Sequence, residues 1–189
     1  MIGQSGTSTE RDGLDGLDTP CLVLDADKPQ ASIDRMRGHL DALHVTLRPH
    51  LKTAKSLDVA RAAMASPDGP ATVSTLREAE YFAEGGIRDM IYAVGIAPHK
   101  LDRVGATRRR WNTDLAIILD SVAQADAVAA WSRQNGDPLP VLIEVDADGH
   151  RSGVAPRDAD TLVAIGRALS DGAALRLSLI HISEPTRPY

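Results

Sequence analysis

The chain has 189 residues, 43% hydrophobic and 25% charged, the balance of one soluble globular domain. Its net charge of −5 excludes the basic footprint of a nucleic-acid binder, and the short run Arg108, Arg109, Arg110 does not reverse that. No apolar run has the length that crosses a bilayer, and with aromatics at 3% the core is left to Leu, Ile, Val and Ala.

From the start, "MIGQSGTSTERDGLDG" (1–16) is rich in Gly, Ser, Thr and Asp, which predicts a disordered lead-in. It has no basic start followed by an apolar stretch, so it does not read as a signal peptide. Cys21 is the single cysteine, which excludes an internal disulfide and fits a reducing cytoplasm. It falls in "PCLVLD", which predicts a strand with Cys21 as a small core residue. Asp27 is the expected N-cap of a helix in which Ile33, Met36, Leu40 and Leu43 recur at helical spacing.

"HVTLRP" predicts the next strand, and Ser56–Ala65 the next helix, ended by "SPDGP". "ATVST" leads into a helix over Leu76–Glu84 that Gly85 and Gly86 terminate. "DMIYAVG" precedes a helix over Pro98–Arg110, and "DLAIILDS" one over Val122–Gln134. "LPVLIEVD" is followed by a loop and a helix over Pro156–Leu169. The runs "MIYAV", "LAIIL" and "PVLIEV" are nearly continuously apolar, as parallel strands covered on both faces are. The alternation therefore predicts an α/β fold with about five βα units from residue 44, a partial (β/α)8 barrel of the TIM type. An open doubly wound sheet is the alternative, but no Gly-x-Gly-x-x-Gly turn follows any strand.

"ALRL" (174–177) begins a sixth strand. "SLIHISEPTRPY" after it resembles the peptide produced when a sequencing adapter is translated as coding sequence. Residues 178–189 are therefore read as a non-native tail, with 17–177 as the barrel domain and 1–16 as the lead-in. His181 is accordingly given no metal role.

Two stretches carry chemistry. "VTLRPHLKTAKS" gathers Arg48, His50, Lys52 and Lys55 just past a strand end. A lysine attacks a carbonyl only through its unprotonated amine, a form that nearby cations and desolvation at a barrel mouth both favour. Lys52 is thus the candidate carbonyl-trapping amine, with Lys55 opening the next helix and facing outward. "EVDADGHRSGV" ends the fifth unit with Asp146, Asp148, His150 and Arg151 around Gly149 and Gly153. A polar turn is the plain reading, and the loop lacks the ligand density of a calcium or zinc site.

"LDTPCLVLDADK", "LRPHLKTAKS", "TVSTLREAEYFAEGGIRDMIYA", "ILDS" and "EVDADGHRSGV" occur in this order. Together they resemble the N-terminal barrel of the alanine racemase-like pyridoxal-phosphate enzymes of fold type III. The subgroup is that of D-threonine aldolase and D-serine dehydratase. The likeness covers about residues 17–177 and falls short of the family's full barrel and following β-domain, to which "PCLVLD" would belong. It implies a C-terminally truncated, inactive piece of a lyase for β-hydroxy D-amino acids, cytoplasmic and homodimeric in its parent form. Lys52 matches the lysine that forms a Schiff base with pyridoxal phosphate, and Arg151 the arginine at the cofactor's phenolic oxygen. His50 and Arg48 would shape the polar floor of the cofactor site. A divalent metal, Zn or Mn, is implied near the substrate's β-hydroxyl, with its ligands in the part of the family this chain does not contain. One departure is Ala54, where the subgroup usually has histidine. The other readings are a pyridoxal-phosphate carrier without turnover and an inert fragment.

Overall fold

A strand persists only where its backbone groups find a neighbour, and that rule decides which of the apolar runs become sheet. A computed structural model of the chain describes residues 16–21, 23–147 and 149–170. It contains one four-stranded sheet, β1 (Ala71–Val73), β2 (Asp89–Gly95), β3 (Asp114–Leu119) and β4 (Val141–Ile143). The order is β1-β2-β3-β4, and every pair is parallel. A doubly wound sheet reverses direction at its centre, and this order has no reversal. It is the order of a barrel opened into a curved sector.

The helices between these strands follow their caps. Ser56, Thr75 and Ser121 each accept from a backbone N–H of the first turn, opening α2 (Leu57–Ala63), α3 (Leu76–Glu84) and α5 (Val122–Asn135). Asn112 and Gly136, both left-handed, close α4 (Leu101–Trp111) and α5. A single 3-10 turn, Pro98–Lys100, leads into α4, and α6 spans Ala159–Ser170.

The core lies on the helix-covered face of the sheet. Ala71, Val73, Met90, Tyr92, Leu115, Ile117, Leu119 and Val141 project there and are at most 1% exposed. The opposite face carries Thr72, Ile91, Ala116, Ile118 and Leu142, which lie outside that cluster. Ile91 and Leu142 are only half-buried, so the expected burial on both faces is met by β3 and only partly by β2 and β4.

Three expectations change. Cys21 and residues 23–25 form no strand, and Cys21 is exposed rather than a core residue. No strand among the described residues offers that run a ladder. "HVTLRP" is also not a strand; the residue after it makes one isolated parallel bridge, His50 beside Thr72. There the Thr72 N–H donates to the Pro49 carbonyl and the Leu51 N–H to the Thr72 carbonyl. Pro49 has no N–H with which to extend the ladder. The five expected strands thus become four plus a bridge. Helix α1 (Asp27–Ala42) forms, but its N-cap is Ala26, with Asp27 the first helical residue. It buries no residue, and Met36 and Leu43 on its apolar stripe stay 48% and 57% exposed. Arg37 ties it to the end of α2 through the carbonyls of Ala62 and Met64, at 2.6 and 3.0 Å. The expected sixth strand, the tail from Ser178 and most of the N-terminal lead-in lie outside the described residues.

Candidate active site

In a parallel sheet every strand ends at the same rim, so groups just past the strand ends share one surface. Past the His50 bridge the chain makes a turn over Leu51–Ala54, closed by the Lys55 N–H on the Leu51 carbonyl at 3.1 Å. Leu51 is 6% exposed and anchors the turn, while Lys52 stands in solvent at its crest. The desolvation expected around Lys52 is therefore absent. The Lys52 backbone N–H donates to His50 Nδ1 at 3.3 Å, and His50 Nε2 lies 3.2 Å from Ser74 Oγ, just past the end of β1.

Lys55 faces outward as expected, with its side chain 63% exposed, and it is also ion-paired. It adopts φ 49°, and its Nζ lies 3.3 Å from the carboxylate of Glu78, whose side chain is only 8% exposed. Glu78 also accepts from the Ser74 N–H at 2.8 Å, and its own N–H donates to Thr75 Oγ1 at 3.0 Å. This reciprocal cap fixes the start of α3 and occupies Lys55, which distinguishes the two lysines that sequence spacing alone left close together.

The second part of the rim is the loop after β4. Val145 and Val154 bridge in parallel and pinch its base. Within it, Asp146 accepts from the Gly149 and Arg151 backbone N–H groups at 3.0 and 3.4 Å. Asp120, just past β3, accepts from the Gly153 N–H at 3.2 Å and so fastens this loop to the neighbouring strand end. Gly153 has φ +122°, and a Cβ there would stand 2.7 Å from the Asp146 nitrogen. Arg151 and His150 are exposed on this loop. Asp148 lies outside the described residues. Among those described, no three His, Cys, Asp or Glu side chains gather as a metal site.

Lys52, His50 and Arg151 thus share the C-terminal rim. Arg48 does not. It forms a two-pronged pair with Asp89, at 2.7 and 2.9 Å, and donates to the Ala71 carbonyl at 3.2 Å. Asp89 and Ala71 begin their strands, so Arg48 clamps the opposite rim and is not brought together with Lys52, His50 and Arg151. Sequence reading missed Ser74, Glu78 and Asp120. "TLRE" carried the Thr-x-x-Glu signature of a reciprocal cap, and Ser74 and Asp120 each follow an apolar run.

The residues present suit the carbonyl end of pyridoxal phosphate: an accessible amine on an anchored turn, and an arginine on a loop whose backbone packs too closely to admit a side chain at Gly153.

Comparison with known proteins places the chain in a family. Residues 24–186 match the family described as alanine racemase, N-terminal domain. D-threo-3-hydroxyaspartate dehydratase of Delftia sp. is 51% identical over 162 residues, covering 86% of this chain and 42% of that protein. Its solved structure superposes with a TM-score of 0.81 at 49% identity, over 87% of this chain and 44% of the other. D-threonine aldolase of Arthrobacter sp. is 31% identical over 76% of this chain and 38% of its own length. The solved D-threonine aldolase of Filomicrobium marinum gives a TM-score of 0.73 at 27% identity, over 86% of this chain and 43% of that one. The chain spans about 40% of the length of such relatives. With its sequential parallel strands and its match across most of the sequence, the chain belongs to the alanine racemase N-terminal domain family, within the pyridoxal-phosphate enzymes of fold type III.

Proposed function

We propose that this chain is the cofactor-capturing part of a pyridoxal-phosphate-dependent lyase for β-hydroxy D-amino acids, acting as a dehydratase on a 3-hydroxy-D-aspartate-like substrate. The observation that supports the reading is an exposed Lys52 without, among the described residues, the carboxylate partner that Lys55, also exposed, has in Glu78, on the rim that also holds Arg151. The choice of dehydratase over aldolase rests on 51% identity to the Delftia protein against 31% to the Arthrobacter one.

When bound, pyridoxal phosphate supplies an electron sink for the pair released at the substrate's α-carbon. Lys52 would hold the cofactor's carbonyl end through its Nζ, and the anchored turn sets how far that nitrogen can reach. Arg151 would supply a cation toward the phenolic oxygen, where positive charge stabilises the phenolate. Asp146 and Asp120 hold the backbone that carries Arg151. A barrel holds phosphate on the loops after its last strands, and the chain spans 42% of the length of the Delftia relative. A divalent metal at the β-hydroxyl would act as a Lewis acid, on ligands supplied from that remaining length.

The test uses two proteins, the 189-residue chain and one extended to the relatives' length. With pyridoxal phosphate the extended protein gains a visible absorption band that Lys52→Ala removes while the circular dichroism is unchanged. The short chain shows a weak band or none. Ammonia and a keto acid released from D-threo-3-hydroxyaspartate identify a dehydratase; glycine and an aldehyde identify an aldolase. Cofactor capture with every D-amino acid untouched would replace the lyase reading with that of a carrier.

A further inference from the structure

The His50 ring sits between two groups whose hydrogen-bonding roles are constrained. The Lys52 N–H is a backbone donor and cannot accept, so the His50 Nδ1 that receives it must present a lone pair. The ring proton then resides on Nε2, 3.2 Å from Ser74 Oγ, and Ser74 accepts it. Ser74 is in turn held through its backbone N–H by the buried Glu78 carboxylate, at 2.8 Å. The result is a continuous chain of hydrogen bonds, Glu78 to Ser74 to His50 to Lys52, from the cap of α3 to the peptide that carries the amine.

We propose that His50 and Ser74 are positioning residues that hold the Lys52 turn in the geometry its amine needs, with His50 kept as the Nε2–H tautomer and acting through the Lys52 backbone rather than by touching the cofactor. The proposal rests on the reading of Lys52 as the carbonyl-capturing amine. It assigns His50 a different task from shaping the cofactor's pocket, and it gives Ser74 a role that its sequence position did not suggest.

The geometry separates two substitutions that would otherwise look alike. Asparagine at position 50 can place its Oδ1 near the site of Nδ1 and keep an acceptor for the Lys52 N–H. Glutamine places its polar atoms near the site of Nε2, keeping contact with Ser74 but losing that acceptor. If His50 acts by holding the turn, His50→Asn retains its effect and His50→Gln does not. If His50 acts through Nε2 on the ligand, the order is reversed.

The readout is site selectivity, measured without turnover on the protein extended to the relatives' length. Pyridoxal phosphate is the probe, cyanoborohydride reduces the adduct to a stable secondary amine, and peptide mass spectrometry compares labelling at Lys52 with that at Lys28, Lys55 and Lys100. The unsubstituted chain should label mainly at Lys52. His50→Gln, which loses the acceptor for the Lys52 N–H, should lower the Lys52 preference about fivefold, while His50→Asn and Ser74→Ala, which each lose only the Ser74 contact, should lower it by about twofold and to the same extent. Melting curves for each variant identify loss of fold, and the Asn against Gln contrast does not depend on Ser74→Ala remaining folded. Equal preference in the Asn and Gln variants, or a greater loss in the Asn variant, overturns the proposal while Lys52 stays the labelled residue. Even labelling of all four lysines in the unsubstituted chain overturns instead the reading of Lys52 on which it rests.

Discussion

At the scale of single residues, the rim works by taking alternatives away. Lys55 has the same chemistry as Lys52 and lies three positions on, yet Glu78 engages it. Glu78→Gln should therefore release Lys55 and move part of the reductive label onto it, a shift visible in the same peptide map. Gly153 is the second such point. Its φ of +122° and the 2.7 Å approach of a built Cβ to the Asp146 nitrogen leave no place for a methyl group. Gly153→Ala should cost about 1–3 kcal/mol of stability, read from denaturant melts, and disturb amide exchange at Asp146 and Val154. The residues proposed to hold chemistry were partly legible in the sequence, because lysine and arginine after apolar runs are a recognisable pattern. The residues that hold those residues were not. The Arg48–Asp89 clamp, the Glu78–Lys55 pair and the Asp120–Gly153 bond join positions far apart in sequence, and no local spacing announces them.

At the scale of elements, helix packing leaves little slack between α4 and α5. A Cβ on Gly105 would lie 2.4 Å from the Trp131 ring, and that ring is pinned by its Nε1–H donating to Asp102 at 2.7 Å. Alanine in a helix gains roughly 1 kcal/mol over glycine in propensity, but overpacking a held ring costs roughly 1–3 kcal/mol. Overpacking wins, and Gly105→Ala should lower the melting temperature. Helices α3 and α4 are also joined by Glu80 and Arg103, with two bonds of 2.6 and 2.7 Å. Hydrogen bonding to Arg103 holds the Glu80 carboxyl below the ordinary glutamate range. The stability this pair adds is present above that range and is lost as pH falls through the lowered value. Glu80→Gln should flatten the acid limb of the melting profile, by less than about 1 kcal/mol because Arg103 is half exposed. The predicted bounds of α3 are those observed, since a polar cap, a clean apolar stripe and two closing glycines all agree there. "PCLVLD" and "HVTLRP" carry strand-like patterns just as plain, and their described residues form no strand. Pattern reports what a segment can form, and a ladder needs a second segment.

At the scale of the whole molecule, apolar surface remains uncovered among the described residues. Val23, Leu24, Met36, Leu43 and Val45 are each about half exposed or more, and β1 and β4 are sheet edges. Exposed apolar patches and unpaired edges promote association. The sedimentation coefficient of the 189-residue chain should rise with concentration. Met36→Glu together with Leu43→Lys should reduce that rise while changing stability by less than about 0.5 kcal/mol per site, since neither side chain is buried. The order β1-β2-β3-β4 has a separate consequence, in time rather than in space. Ala71 pairs with Met90, Tyr92 with Ile117 and Ile118 with Leu142, so every strand meets a partner synthesised one helix earlier. No strand must wait for a later one to be inserted beside it. A nascent chain leaving the ribosome can therefore dock each unit as it emerges, and pulling-force profiles on stalled chains should show successive steps as each helix clears the exit tunnel.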